Sequence, residues 1–147
     1  MKLTKLLAST IICLTVLVSP TILADTNKTQ QILCLAKNIY FEARGEPHQG
    51  KVAVAQVTLN RTRHWQFRGS VCSVVYQPRQ FSWTLKPALI KDYWAWQDAK
   101  QLAHDMLTGK LVLHGFDALY FHTKQIKPKW KKHKKAVTVI GNHVFYK

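Results

Sequence analysis

The chain has 147 residues, and nearly half are apolar. That suffices for one buried core and leaves no room for a second sizeable domain. Lys and Arg number 22 against seven Asp and Glu, a formal charge of +15, so the partners to expect are polyanions: nucleic acid, anionic lipid or an acidic envelope polymer.

Lys2 and Lys5 form a basic start, Leu6 to Val18 is an apolar run broken only by Ser and Thr, and Pro20 interrupts it. Residues 1–24 therefore read as a cleaved secretory signal, too short for a comfortable membrane span; an uncleaved anchor is the alternative. Removal takes away Lys2 and Lys5 and leaves an excess of +13. Export points to a secreted or periplasmic protein, for which cell-wall polymer is a commoner partner than nucleic acid. Cys13 goes with the signal, and Cys34 and Cys72 remain. An even pair in an exported domain predicts a disulfide, worth roughly 3–4 kcal/mol by loop-closure entropy.

Residues 25–31 are polar and read as a flexible N-terminus, with the folded domain over 32–147. From Thr29, the positions Ile32, Leu35, Ala36, Ile39 and Ala43 recur at helical spacing. Gly45 ends that helix. Pro47 suits the first turn of a second helix running to about Arg63, apolar nearly all round and so central. Glu46 precedes it and is expected to cap its free amides, a structural role. Residues 64–86 read as loops and short extended pieces. A third helix is predicted from about Pro87 to Thr108, stopped by Gly109. Ala118 to Thr123 reads as a strand. Val137–Ile140 and His143–Tyr146 flank Gly141-Asn142, a hairpin signal. Helices first and a small antiparallel sheet last make an α+β domain.

The chain has two glutamates, Glu42 and Glu46, one helical turn apart in Phe-Glu-Ala-Arg-Gly-Glu. Glu42 falls at a helix C-terminus, where the dipole disfavours negative charge, with Tyr40 and Phe41 adding apolar surface. Both effects raise its pKa and suit a general acid for breaking glycosidic bonds, against the opposing positive field of the protein. Arg44 should project from a different face. Glycosidases usually place a second carboxylate across the sugar. Glu46 lies on the same local segment, Asp92, Asp98 and Asp105 read as a solvated helix face, and Asp117 as a turn residue. That favours a one-carboxyl mechanism, in which the acid protonates the glycosidic oxygen and then, as base, deprotonates a hydroxyl of the same sugar as it closes onto C1.

Cys34 to Glu46 followed by Gly50 to Arg61, then Val71 to Gln77, Gln80 to Thr84, Ala118 to His122 and Ile140 to Tyr146, together resemble the cell-wall hydrolase family typified by the spore cortex-lytic enzyme SleB. The resemblance implies a lysozyme-like fold and cleavage of peptidoglycan between N-acetylmuramic acid and N-acetylglucosamine, as a lytic transglycosylase or muramidase. It carries the catalytic acid onto Glu42. A non-catalytic wall- or envelope-binding module on the same scaffold is the alternative.

Ser82, Trp83 and Thr84 combine a ring with two hydroxyls and are candidates for substrate binding, although Trp83 suits the core equally. Tyr120 and His122 share one face of a strand and are further candidates, with Phe121 turned to the core. Asn60 is a candidate too, and Arg61 reads as a cap or salt-bridge residue. Lys124, Lys127, Lys129, Lys131, Lys132, Lys134 and Lys135, with Trp130 among them, suggest a grip on anionic wall polymer or lipid headgroups, or simply a solvated loop. The seven histidines show no metal-ligand spacing, so no metal or other cofactor is expected. A monomer without a nucleic-acid partner is expected.

Overall fold

The computed structural model describes residues 20–67 and 69–147. Residues 1–19 of the expected signal lie outside them. Among the described residues no helix is long and apolar enough to cross a membrane.

Helix α1, Pro20–Ala43, buries Leu35, Ala36, Ile39 and Ala43, the stripe its sequence marks. It begins earlier than expected. Residues 25–31 are helical rather than an irregular tail, although Asp25 to Gln30 remain exposed. No Gly or Pro follows Pro20 to break the ladder. Gln31 also fastens the segment: its amide donates to Asn27 Oδ1 at 3.2 Å and its Oε1 accepts from Cys72 N at 3.0 Å.

Helix α2, His48–Thr62, runs through the centre, with Val52 to Leu59 and Arg61 buried. Glu46 does not cap it. Its carboxylate instead accepts from Asn142 N at 2.8 Å and Asn142 Nδ2 at 3.2 Å, tying the α1–α2 corner to the hairpin turn. Gly141 makes this approach possible. Its φ of 57° is left-handed, and a Cβ there would overlap Glu46 Oε2.

A short helix α3, Val71–Val75, stands where loops were expected. Its β-branched run is too brief for periodicity to register. Ser70 caps it, accepting from Ser73 N at 3.1 Å, and Val71, Val74 and Val75 are buried. The Cys34–Cys72 disulfide joins α3 to α1 across a Cα separation of 5.2 Å. A 3-10 turn follows at Ser82–Leu85.

Helix α4 spans Tyr93–Leu107 and starts later than the predicted Pro87. Asp92 is its N-cap, accepting from Ala95 N at 3.0 Å. The amides of Lys91 and Asp92 donate to Tyr40 Oη, each at 3.0 Å, which holds the approach to the helix in a non-helical path.

Strand β1, Tyr120–Thr123, pairs antiparallel with β3, His143–Tyr146, and β3 pairs antiparallel with β2, Ala136–Ile140, giving the order β1-β3-β2. Tyr120 lies opposite Tyr146, and His122 opposite Val144. The central strand carries the buried His143, Phe145 and Tyr146. One apolar cluster fills the space among the four helices and includes Phe81; a second, with Val54, Val57, Ala118 and Phe145, joins α2 to the sheet. Helix α2 is thus the shared wall, explaining its apolar circumference.

Removing the carboxylate that receives the Asn142 amides should loosen the hairpin. Glu46→Ala is expected to lower unfolding free energy by about 2 kcal/mol, read from the midpoint of urea denaturation.

Candidate active site

A cavity of about 410 Å³ opens where the end of α1 meets the sheet. Glu42 supplies one wall, Gln80, Phe81 and Ser82 the second, and Phe121, His122 and His143 the sheet side. Trp130 and Pro128 close it from the loop between β1 and β2.

Glu42 is half-buried and makes no hydrogen bond or ion pair with any described residue. Burial pushes its carboxyl up from 4.5 to about 7, and the nearby Arg61 charge partly offsets that. Neighbours on α1 are turned elsewhere. Tyr40 is buried against the α4 approach. Phe41 stacks on Trp83 at 4.7 Å between ring centres. Arg44 lies over the Tyr40 ring at 5.1 Å, on a different face from Glu42 as its spacing predicts.

Arg61 is the charged neighbour of Glu42 that looked ordinary in the sequence. It is buried, its Nε donates to Leu119 O at 2.7 Å, and its guanidinium lies 4.9 Å from the Phe67 ring centre and 5.3 Å from that of Phe81. Among the described residues it therefore neither caps α2 nor forms a salt bridge. Burial pulls its pKa down to about 10, while Tyr120 and Glu42 push it back up. Nη1 is enclosed without a hydrogen-bond partner among the described residues. No local pattern announces this; an arginine ending an otherwise apolar helix was the available signal.

His122 and Tyr120 both contact the Trp130 ring, at 5.7 and 5.8 Å, which confirms their common face. His122 lines the cavity. Its Nδ1 lies 2.8 Å from Thr123 O and its Nε2 2.9 Å from Tyr146 Oη. A carbonyl only accepts, so Nδ1 donates to it, and in the neutral ring Nε2 then accepts from the tyrosine. Tyr120 donates to Gln66 Oε1 at 3.0 Å, beside the cavity rather than lining it. Phe121 packs in the core, as expected, and also reaches the cavity. His143, not singled out from sequence, is buried with Nδ1 unbonded and 3.8 Å from Glu46 Oε2. Burial lowers its pKa, Glu46 opposes the shift, and His122 adds to it.

The remaining candidates divide. Ser82 lines the cavity. Trp83 and Thr84 face a separate groove beyond Phe41, with Thr84 Oγ1 donating to Phe81 O at 2.7 Å. Asn60 is away from Glu42: its amide donates to Phe116 O at 2.8 Å and Ala118 O at 3.0 Å, anchoring the chain before β1. In the lysine-rich stretch, Lys129–His133 forms a 3-10 turn after Pro128. Trp130 folds onto Tyr120, His122 and Tyr146 instead of standing free, and Lys134 Nζ sits 3.9 Å over the Tyr120 ring. Lys124, Lys127, Lys129, Lys132 and Lys135 are exposed, and Lys131 half-buried.

Arg79 also lines the cavity, with a φ of 65°. It is the second central residue of a turn closed by Gln80 N donating to Gln77 O at 3.2 Å, a position where glycine is usual. A non-glycine residue there carries backbone strain at the cavity edge.

A family model described as "Cell Wall Hydrolase" matches residues 45–146, beginning just after Glu42. A spore cortex-lytic enzyme of Oceanobacillus iheyensis is 31% identical over 121 residues, covering 79% of this chain and 41% of that protein. One from Bacillus cereus is 32% identical over 116 residues, covering 79% and 44%. The chain thus spans about two fifths of the length of these relatives. The catalytic domain of the germination-specific lytic transglycosylase SleB from Bacillus anthracis superposes with a TM-score of 0.66 at 32% identity, over 80% of this chain and 93% of that one. The catalytic domain of Bacillus cereus SleB gives 0.63 at 31%, over 80% and 91%. The expected lysozyme-like α+β fold agrees with these neighbours.

Because the folded state holds the Glu42 proton more tightly than the unfolded chain, this group's stabilising contribution is complete below pH 4.5 and is lost as pH rises through about 7. Glu42→Gln should therefore match the wild-type melting temperature at pH 4 and exceed it at pH 8, in paired thermal scans. Arg79→Gly relieves the left-handed strain but frees the unfolded chain, so urea unfolding should show no loss, and a gain of up to about 1 kcal/mol.

Proposed function

The chain belongs to the cell wall hydrolase family, and from that premise we propose that it cleaves peptidoglycan glycan strands between N-acetylmuramic acid and N-acetylglucosamine, as a lytic transglycosylase with Glu42 as its one acid and base. The observation that carries this reading is the cavity's charge inventory. Glu42 is the sole carboxyl lining it among the described residues. Glu46 is bound to Asn142, Asp92 caps α4, Asp98 pairs with Lys51, Asp105 with Lys110, and Asp117 with Lys147. Among the described residues no second carboxylate lines the cavity to hold a nucleophilic water or a glycosyl intermediate across the sugar.

A carboxyl with a pKa near 7 supports both halves of the reaction. Protonated, it donates to the glycosidic oxygen as the C1–O bond breaks, and the leaving sugar departs with a free hydroxyl. The resulting carboxylate then takes the proton of the muramyl 6-hydroxyl as that oxygen bonds to C1. The product is a 1,6-anhydro ring, the proton returns to Glu42, and no water is consumed. Arg61 stabilises the carboxylate between the two steps without neutralising it permanently. Phe121 and Trp130 offer apolar faces to the sugar rings, Ser82 offers a hydroxyl for their polar groups, and His122, both of its nitrogens bonded, shapes the wall.

In this reading residues 1–24 direct export, the domain over 32–147 acts outside the membrane as a monomer, and the exposed lysines between 124 and 135 hold the enzyme on anionic wall polymer. The spore setting in the relatives' names is not needed by any of these steps.

Glu42→Gln should still sediment with purified sacculi while its release of soluble muropeptides falls by roughly a thousandfold. Mass spectrometry of the wild-type products should show 1,6-anhydromuramyl ends. Hydrated reducing ends would instead make the enzyme a muramidase, and an active Glu42→Gln protein would remove the acid from its role.

A further inference from the structure

A second groove lies on the far side of Phe41 from Glu42. It consists of two adjoining hollows, about 190 and 410 Å³, that share Phe41 and Ala88. The 3-10 turn at Ser82–Leu85 forms the partition: Ser82 and Leu85 face the Glu42 cavity, while Trp83 and Thr84 face the groove. The groove is not a loose surface fold. Trp83 stacks on Phe41, Tyr76 meets Trp83 edge-on at 5.9 Å, and the opposite bank is pinned where the amides of Lys91 and Asp92 bond to Tyr40 Oη.

Its charge is one-sided. Lys37 and Lys86 line the smaller hollow, Arg44 and Lys91 the larger. None of the four forms an ion pair with a described residue. The single carboxylate on the lining is Asp92, whose Oδ1 is occupied by the Ala95 amide. Four cations against one capping carboxylate, set around an aromatic trough, call for an anionic, partly apolar ligand.

Resting on the glycan reading above, we propose that this groove receives the stem peptide that branches from the muramic acid residue bound beside Glu42. The stem leaves muramic acid through its C3 ether, one ring atom away from C2 and two from the anomeric carbon. A strand seated in the catalytic cavity must therefore send its peptide out over a neighbouring wall, and the partition at Ser82–Leu85 is that wall. Stem peptides carry free carboxylates and small alanyl side chains. Carboxylates suit Lys37, Arg44, Lys86 and Lys91; the methyl groups suit Phe41, Tyr76 and Trp83. The groove would make the enzyme selective for strands that keep their peptides.

Two measurements test this. In the first, an isolated Ala–Glu–diaminopimelate–Ala tetrapeptide is titrated into the protein at low salt while the Trp83 indole N–H resonance, assigned with Trp83→Phe, is followed. That resonance should shift and saturate, and the Lys86→Glu/Lys91→Glu double variant should bind roughly threefold to tenfold more weakly. In the second, kcat/KM is compared for glycan strands with stems intact and for the same strands stripped by an amidase. The wild-type ratio of intact to stripped should exceed one and fall in the double variant. An unmoved Trp83 resonance, or a ratio of one in both proteins, overturns the proposal. If neither kind of strand is cut, the glycan reading fails instead, and the titration alone decides whether the groove binds an acidic peptide.

Discussion

The Glu46 carboxylate fastens the corner between α1 and α2 to the turn between β2 and β3. This contact sets the distance between the helical part of the molecule and the sheet. Glu42 stands just before that corner, and His143 stands just after the turn. The Glu42 cavity is the gap left between two surfaces whose relation one side chain fixes. The second apolar cluster, where Val54 and Val57 of α2 meet Phe145, supplies most of the adhesion, but dispersion contacts have no direction. The charge-assisted bonds to Asn142 do, and they fix the register of the join.

The site also separates local from global electrostatics. The chain carries a formal charge of +15, which by itself would drive a carboxylic acid toward ionisation. Around Glu42 the outcome is reversed. Most of the cations are on the outside, where water and salt screen them. The charge that acts on the acid comes from Arg61, and its attraction falls short of the desolvation cost. A protein can thus present a cationic exterior to an anionic polymer and still keep a proton on the acid within. The half-buried aromatic ring of Trp130 serves this arrangement by covering the cavity, and it does so from within the most lysine-dense stretch of the chain.

Much of this was legible before any coordinates. Apolar spacing located α1 and α2, and the all-round apolarity of α2 placed it centrally. Gly141-Asn142 announced the hairpin and the cysteine count the disulfide, and Glu42, marked by its helix end, lies on the cavity wall. What could not be read depends on contacts distant in sequence. Glu46 could be assigned a structural task but not its partner, because Asn142 is almost a hundred positions away. Asn60 looked like a ligand residue because its bonds to Phe116 and Ala118 carbonyls leave no trace in local pattern. Arg61 looked ordinary for the converse reason: its aromatic surroundings are assembled from Phe67, Phe81 and Tyr120. The start of α4 was misplaced because Pro87 and Asp92 are both acceptable openings, and the choice was made by the hydroxyl of Tyr40 on another helix.

Gly141 has a consequence for how the sequence can drift. Its lack of a side chain matters because Glu46 lies against it, and Glu46 lies there because the Asn142 amide faces it. Each of the three positions therefore constrains the other two. A lineage that replaced the glycine would first have to shorten or redirect the glutamate, and doing so would release the asparagine. Descendants of this fold should inherit the trio together or abandon it together, so variation at any one of them would date the moment the hairpin found another way to dock.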